Sequence, residues 1–314
     1  MKRGLVEWDA QEVPRSVLDS RVEQVRVWGR ERGLEAVLFH TSDSHTQPVR
    51  YLTHFLLYWN EGVLVVPVDP AAEPVLVYGL SGRVLEWVRR TSTVTQAVSA
   101  RDIGGAVASL LAERGYREVG VAEPEVFPAP ILGEIVGWTD ASRVLAGLGC
   151  DEVEAALRAT ARRVCEDAFA RLAVGRTHWQ AAAAFHGAAR LAGAEDVSLL
   201  IGQPPAWPGL PRDAGLVDGA SLLGRVEYKG AWHQAARTLG ASTAPAWFAD
   251  LLAAVRPGVR VGNVSAARLQ DLSGPTPFRQ LGPDATLRAG QAVAITAMQG
   301  SVLWGETLLL RGSD

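Results

Sequence analysis

Apolar residues in the first half of the chain alternate between two rhythms. Leu18, Val22, Val25 and Trp28 recur at helical spacing and predict an amphipathic helix over Val17–Arg32, stopped by Gly33. Ala36–Phe39 then predicts a short buried strand. Arg50–Leu57, Gly62–Val66 and Val75–Tyr78 predict further strands, and Ile103–Arg114 a helix ending at Gly115. Strand Glu118–Ala122 follows. Strands alternating with helices of this length imply an α/β layer.

A second region begins near Gly149, which sets domains at 1–148 and 149–314. Val153, Ala156, Leu157, Ala161 and Val164 predict a long helix over Asp151–Val174, closed by Gly175. Thr177-His-Trp-Gln180 has the spacing of a capping box, in which threonine and glutamine satisfy each other's exposed backbone donors. The helix it opens runs to Gly193. Val197–Ile201, Ser221–Tyr228, Ala292–Thr296 and Thr307–Leu310 predict strands, with a helix at Pro245–Val255. Two helices against a mostly antiparallel sheet give an α+β reading for this region.

Composition narrows the class. The 314 residues suit two domains, and 48% hydrophobic with 21% charged residues is ordinary for a globular protein. A net charge of −3 gives no reason to expect nucleic acid or an acidic membrane as partner. No apolar run reaches the ~18–20 residues that span a bilayer. The N-terminal residues lack the apolar core of a signal peptide. Cys150 and Cys165 have neither metal-binding nor redox spacing, so the expected location is the reducing cytoplasm. Ten tryptophans exceed ordinary usage, and a cleft or interface could employ several.

Several phrases, in order, resemble the creatinase, prolidase and aminopeptidase P family of M24 peptidases. Val49-Arg-Tyr-Leu-Thr53 resembles that family's N-V-R-Y-L-T-G-F, and Asp151-Glu-Val-Glu-Ala-Ala-Leu-Arg158 its K-s-x-x-E-i-x-x-m-R helix start. Gly175-Arg-Thr177 resembles G-x-T-E, and the stretch Gly230 to Thr238 resembles G-Y-x-S-D-x-T-R-T. Leu287-Arg-Ala-Gly290 resembles L-x-P-G-M, and Gly305-Glu-Thr307 resembles E-D-T. No single phrase is specific; their order across nearly the whole chain carries the resemblance. It implies an α/β N-terminal domain, an α+β "pita-bread" C-terminal domain, here shortened, and a homodimer.

The departures concern the metal site. The family's metallopeptidases hold two divalent ions with two aspartates, one histidine and two glutamates, and the ions activate water for amide hydrolysis. The first aspartate position falls here on Leu223 or Arg225, and the second on Gln234. The histidine position lies between Val261 and Leu287, an interval without histidine. The first glutamate position falls on Thr296, and the last on Gly305, or on Glu306 after a one-residue slip. The family's P-H phrase appears as Pro211-Arg212. One carboxylate and an amide do not hold two metal ions, so no metal ligand and no cofactor is assigned.

Loss of metal need not end catalysis, because creatinase, within this family, hydrolyses an amidino group without one. His233 could serve as general base near neutral pH, against the plainer role of a hydrogen-bonded lining residue. Strand alternation weighs on this choice: if Gln234 faces the pocket, Trp232 shares its face and His233 points away unless the strand is bulged. Glu227 and Glu306 are the acidic candidates, against ordinary surface or salt-bridged acids. Arg212, Arg225 and Arg237 could replace the lost positive charge or hold an anionic ligand, against solvated arginines. Trp232 and Trp304 could line the cavity, against core packing. His40, His45 and His54 lie around the RYLT segment, where loop histidines without a role are expected.

Three functions follow. The chain could be a metal-independent hydrolase, or a lyase or cyclase, acting on a small amino-acid-like or peptide-like molecule in a specialised pathway. It could be a non-catalytic descendant that binds a ligand or a protein, as histone-chaperone domains of this fold do. Or it could be an Xaa-Pro metallopeptidase with unrecognised ligands, which needs carboxylates that the sequence does not supply.

Overall fold

A computed structural model describes residues 7–57, 59–148, 150–203, 205–264, 267–273 and 277–312. The chain divides into two compact units, with the boundary between residues 148 and 149.

The N-terminal unit is built on a mixed six-stranded sheet in the order β4-β3-β2-β1-β5-β6. Its strands are β1 (Ala36–Ser42), β2 (Glu61–Pro67), β3 (Val75–Tyr78), β4 (Gln96–Ser99), β5 (Val119–Ala122) and β6 (Thr139–Asp140). Its helices are α1 (Arg15–Arg30), α2 (Gln47–Thr53), α3 (Leu85–Thr91), α4 (Ile103–Arg114), α5 (Ala129–Leu132) and α6 (Arg143–Gly147). Because side chains alternate along a strand, Val37 and Phe39 pack with α1 and α2, while Ala36 and Leu38 pack with α4 and α5. The sheet is therefore apolar on both faces, which explains why its strands read as unbroken hydrophobic runs.

The expected strand Arg50–Leu57 is instead a helix followed by an extended tail. Pro48 occupies the first helical turn, where its fixed φ favours helix and its missing N–H costs nothing. Val49 and Leu52, three residues apart, enter the core together. His54 then ends the helix at φ 63°, its N–H donating to the Arg50 carbonyl at 2.7 Å. Strand propensity of this Tyr, Thr and Phe-rich segment lost to the proline and to packing. The edge strand β4 and helix α3 gave no signal; β4 is mostly exposed and has no apolar alternation.

The C-terminal unit holds a seven-stranded sheet in the order β11-β10-β12-β13-β9-β8-β7. All its pairings are antiparallel. Strands β7 (Asp196–Gly202), β8 (Ser221–Tyr228), β9 (Ala231–Thr238) and β10 (Ala267–Asp271) precede β11 (Arg279–Gln280), β12 (Ala292–Gln299) and β13 (Val302–Leu309). Helices α7 (Glu152–Phe169) and α8 (His178–Leu191) cover one face, and α9 (Ala246–Ala254) joins them. The Asp151 carboxylate caps α7 by accepting from the Glu154 N–H at 2.8 Å. The capping box forms at α8, where Thr177 and Gln180 bond reciprocally at 2.9 and 3.2 Å. Helix α7 ends five residues short of the expected Val174 because the chain turns at Ala170, and this turn carries Leu172 into the core.

Alternation gives the sheet two different faces. Leu222, Gly224 and Val226 of β8, with Ala235 of β9, meet α7 and α8. Leu223, Arg225 and Glu227, with Trp232, Gln234 and Ala236, occupy the opposite face. That second face is the floor on which the candidate site is built.

Candidate functional site on the C-terminal sheet

The floor is assembled by register. Arg225 stands opposite Gln234, Leu223 opposite Ala236, Ala236 opposite Gly305, and Gly305 opposite Thr296. Thr296 in turn faces Arg268 on β10. Strands β9 and β13 share one ladder pair, Ala236 with Gly305, among the described residues. On either side of it threonine hydroxyls replace ladder bonds. Thr307 Oγ1 accepts from the Gln234 N–H at 2.9 Å and donates to the Gln234 carbonyl at 2.8 Å. Thr238 Oγ1 likewise bridges the Leu303 N–H at 2.8 Å and carbonyl at 3.1 Å. Only glycine fits at 305: a Cβ there would lie 2.8 Å from the Ile295 carbonyl oxygen and 2.9 Å from the Ala236 Cβ.

Polar side chains form one connected line across this floor. Arg225 Nε donates to Gln234 Oε1 at 2.8 Å. Gln234 Nε2 donates to Thr296 Oγ1 at 3.1 Å and to Gln270 Oε1 at 3.2 Å. Gln270 Nε2 donates to the Phe278 carbonyl at 2.9 Å. The Arg225 guanidinium lies over the Phe278 ring, 4.1 Å from its centroid, and Trp232 meets the same ring edge-on at 5.0 Å. Gln234, Thr296 and Trp232 are buried, while Arg225, Gln270 and Phe278 are partly exposed. The floor is therefore packed below and reachable above. Apolar walls flank it: Leu223, Ala236 and Leu303 with Trp207 on one side, Leu272 and Ala292 with Trp232 on the other.

His233 and Glu306 lie on the helix-covered face. His233 Nε2 sits 3.1 Å from Glu306 Oε1, with the imidazole 1% exposed. Arg237 Nη2 is 3.1 Å and Arg162 Nη2 3.6 Å from Glu306 Oε2. Arg237 also donates to the Ala236 and Gly305 carbonyls at 2.8 and 2.6 Å and stacks on Trp304 at 4.6 Å. Burial pushes the Glu306 carboxyl up, but His233, Arg237 and Arg162 outweigh it and bring its pKa to about 2. Burial lowers the His233 pKa, against the opposing pull of Glu306. The imidazole is neutral and the carboxylate charged, balanced by arginines.

The residues singled out in the sequence thus divide between the two faces. Arg225, Trp232, Gln234 and Glu227 share the floor. His233, Glu306, Arg237 and Trp304 are brought together beneath it. Of the two residues at the last glutamate position, Gly305 is on the floor and Glu306 faces the helices. Glu227, fully buried, is a carboxylate of the floor, between Trp232 on β9 and Asp196 on β7 in the ladder. Arg212 is exposed in the β7–β8 connection and has no contact with the others among the described residues. Three participants had no signal in the sequence. Gln270 lies in the interval searched for histidine, Phe278 in an irregular segment, and Arg162 among several arginines of α7. In the N-terminal unit His40 is buried in β1, 3.4 Å from Glu61, and His45 is 3.4 Å from Glu123. His40 is thus a packed strand residue rather than a loop histidine, whereas His45 lies in the β1–α2 loop, as expected, and is paired there.

The floor does not fit a dimetal centre. Gln234 Oε1 already accepts from Arg225, its Nε2 presents donors, and the guanidinium cation lies beside it. Among the described residues no three histidine, cysteine, aspartate or glutamate side chains are disposed to hold a metal ion. No described helix is long and apolar enough to cross a membrane.

No family model and no curated protein matches the sequence. Solved structures do match. An Xaa-Pro dipeptidase from Bacillus anthracis superposes with a TM-score of 0.69 at 14% identity, over 93% of this chain and 95% of that one. A prolidase from Pyrococcus furiosus gives 0.71 at 13% identity, over 92% and 96%. A dipeptidase from Mycobacterium ulcerans gives 0.65 at 19% identity, over 96% and 93%. Over more than nine-tenths of its length, this chain has the fold of the prolidases and Xaa-Pro dipeptidases, the M24 peptidase-like pita-bread fold.

Proposed function

We propose that the chain is a metal-independent enzyme on the prolidase scaffold, acting on a small amino-acid-like or peptide-like molecule held on the floor of the C-terminal sheet. The observation that supports this reading is the Arg225–Gln234–Gln270 line, a cation and two amides on strands to two of which the sequence resemblance assigns anionic metal ligands. The floor keeps the features of a small-molecule site, with apolar and aromatic walls around a few fixed polar groups. Glu227 is the group proposed for proton transfer, as a buried carboxylate on the same face as Arg225 and Gln234. Arg225 and Gln234 orient that molecule. His233 and Glu306 serve beneath the floor by fixing β9 against β13. The chemistry this set can perform is general acid–base catalysis, as a hydrolase or as a lyase or cyclase.

A second reading, a ligand-binding protein without turnover, is favoured by the removal of His233 and Glu306 from the floor. One experiment separates these readings from a surviving Xaa-Pro peptidase. The purified chain is dialysed against manganese, cobalt or zinc, stripped of free ion, analysed for metal by mass spectrometry and assayed on dipeptides with proline second. The expected result is substoichiometric metal and no metal-dependent hydrolysis. Retention of two ions per chain together with manganese-dependent cleavage would overturn the proposal. Turnover of an amino-acid-like compound that disappears in E227Q supports the enzyme; binding without turnover supports the second reading.

A further inference from the structure

Arginine side chains held away from water are ordinarily matched by a carboxylate. Arg225 is not. It is partly buried, and burial lowers its pKa with no opposing acid. Its protein contacts are Gln234, through Nε, and the face of Phe278. The first contact fixes one edge of the guanidinium and the second fixes its plane. The two terminal amino groups, the fork that pairs bidentately with carboxylate, have no partner among the described residues.

A second orphan donor lies across the same ring. Trp232 is 7% exposed, and its indole N–H finds no acceptor among the described residues. A buried donor left unmade costs about 1–3 kcal/mol, a cost that an incoming acceptor removes. Phe278, between the two donors, is held at φ 69°, a conformation that bulky residues adopt only under constraint. Its N–H donates to the Asp271 carbonyl at 2.9 Å and its carbonyl accepts from Gln270, so both sides of the residue are pinned. Arg225, Phe278 and Trp232 are thus set in place with donor capacity to spare.

By register, the charged residues on this face include Arg225, Arg268, Glu227 and, at the end of β7, Asp196 opposite Glu227. Arg268 is exposed and stacks on Trp207 at 3.8 Å, across the floor from Arg225. Beside Gln234 the floor is low, formed by Ala236, Gly305 and Ala294, while Leu223, Leu303, Trp207, Trp232 and Phe278 stand around it. One guanidinium fork matches one planar monoanion better than a hydrated dianion, and apolar walls suit an organic body.

We propose that Arg225, oriented by Gln234 and Phe278 and assisted by the Trp232 indole N–H, anchors the carboxylate of a small organic molecule on the floor of the C-terminal sheet. This inference rests on the reading of the floor as the ligand site. The occupant is a compact carboxylate with an apolar or aromatic body.

The test uses the full chain in EDTA with three probes: phenylacetate, neutral phenylacetamide and inorganic phosphate. Binding is followed by ligand-observed NMR and calorimetry, and the fold of each variant by circular dichroism and its melting curve. The expected result is that phenylacetate binds and the amide does not. R225K, which keeps the charge but loses the fork, weakens binding by about tenfold, and R225Q abolishes it. W232F, which keeps a ring but loses the N–H, weakens it by about threefold to tenfold. Equal binding of the amide, full affinity in folded R225Q or R225K, or binding of none of the probes overturns the proposal. Tighter binding of phosphate overturns the commitment to a carboxylate. Carboxylate binding without any turnover would sink the enzyme reading and leave this anchor standing. Turnover with affinity insensitive to Arg225 would do the reverse.

Discussion

Replacing Glu306 with alanine is expected to destabilise the C-terminal unit by about 3–5 kcal/mol, the cost of removing one partner from a buried charged cluster. The carboxylate is 9% exposed and is shared by His233, Arg237 and Arg162. Without it, Arg237 loses its carboxylate partner beside the core, while the half-exposed Arg162 keeps Glu166 at 3.0 Å. Arg237 would still bond two carbonyls, so the strands stay connected and the loss is partial. E306Q keeps the shape and one acceptor but not the charge, and is expected to lose less. Urea denaturation measures both; a change under about 0.5 kcal/mol in E306A, the range of ordinary surface substitutions, would refute the role assigned to the cluster.

The same cluster sets an acid limit. The folded pKa of Glu306 lies at about 2, below the ordinary 4.5. Its stabilising contribution is therefore complete above about pH 4.5 and is lost as pH falls through about 2. The folded pKa of His233 is also lowered from 6.5, so below that pH the unfolded chain takes up a proton that the fold resists. Both contributions run the same way, and stability falls on acidification from neutral pH. In E306Q the lower part of this dependence flattens. A variant with the wild-type slope between pH 4.5 and 2 would show that other carboxylates control acid unfolding.

Phe185→Ala is expected to cost about 3–5 kcal/mol. Phe185 is fully buried on α8, meets Phe169 edge-on at 5.1 Å, and presses into the notch left by Gly224. A Cβ at 224 would lie 2.6 Å from the Phe185 ring and 2.8 Å from the Phe169 ring. Gly224→Ala alone therefore overpacks the same spot, at about 1–3 kcal/mol. The two changes should compensate in part, because the added methyl enters the space the ring vacates. A double variant as unstable as the sum of the singles would show that the ring is not wedged on the glycine. Gly224 sits next to Arg225 on β8, so the wedge also fixes the strand that presents the arginine.

Much of the organisation was legible because it rests on local rules. Helical spacing located α1, α4, α7 and α8, and the Thr177–Gln180 box marked a helix start to the residue. Strands with one apolar face or two read clearly, as β2, β3, β7 and β8 do. Segments whose apolar logic is interrupted did not read. Strand β10 presents Arg268 and Gln270 to the floor, so its apolar signal is absent. The Arg50–Leu57 segment has strand composition, and only its packing against α1 and β1 and the Pro48 start decide for a helix.

For the site, the sequence resemblance placed Leu223 or Arg225, Gln234 and Thr296 at ligand positions, and none of these side chains binds metal as a carboxylate does. The alternation rule also put Trp232 with Gln234 and set His233 apart. Sequence did not decide between Gly305 and Glu306, because a one-residue shift changes the face on which a side chain stands. Nor did it show that four strands would bring Arg225, Gln234, Gln270 and Thr296 into one hydrogen-bonded line, since residues so far apart in sequence meet only through sheet register. By itself, then, the chain determined its longer helices, its apolar strands and the scarcity of carboxylates and histidine at the positions that the resemblance marks, all of which depend on residue type and short-range spacing. Tertiary structure alone decided which polar groups face the floor, which are sealed beneath α7, and that Arg225 is left without an acid, because those outcomes depend on pairing between distant strands.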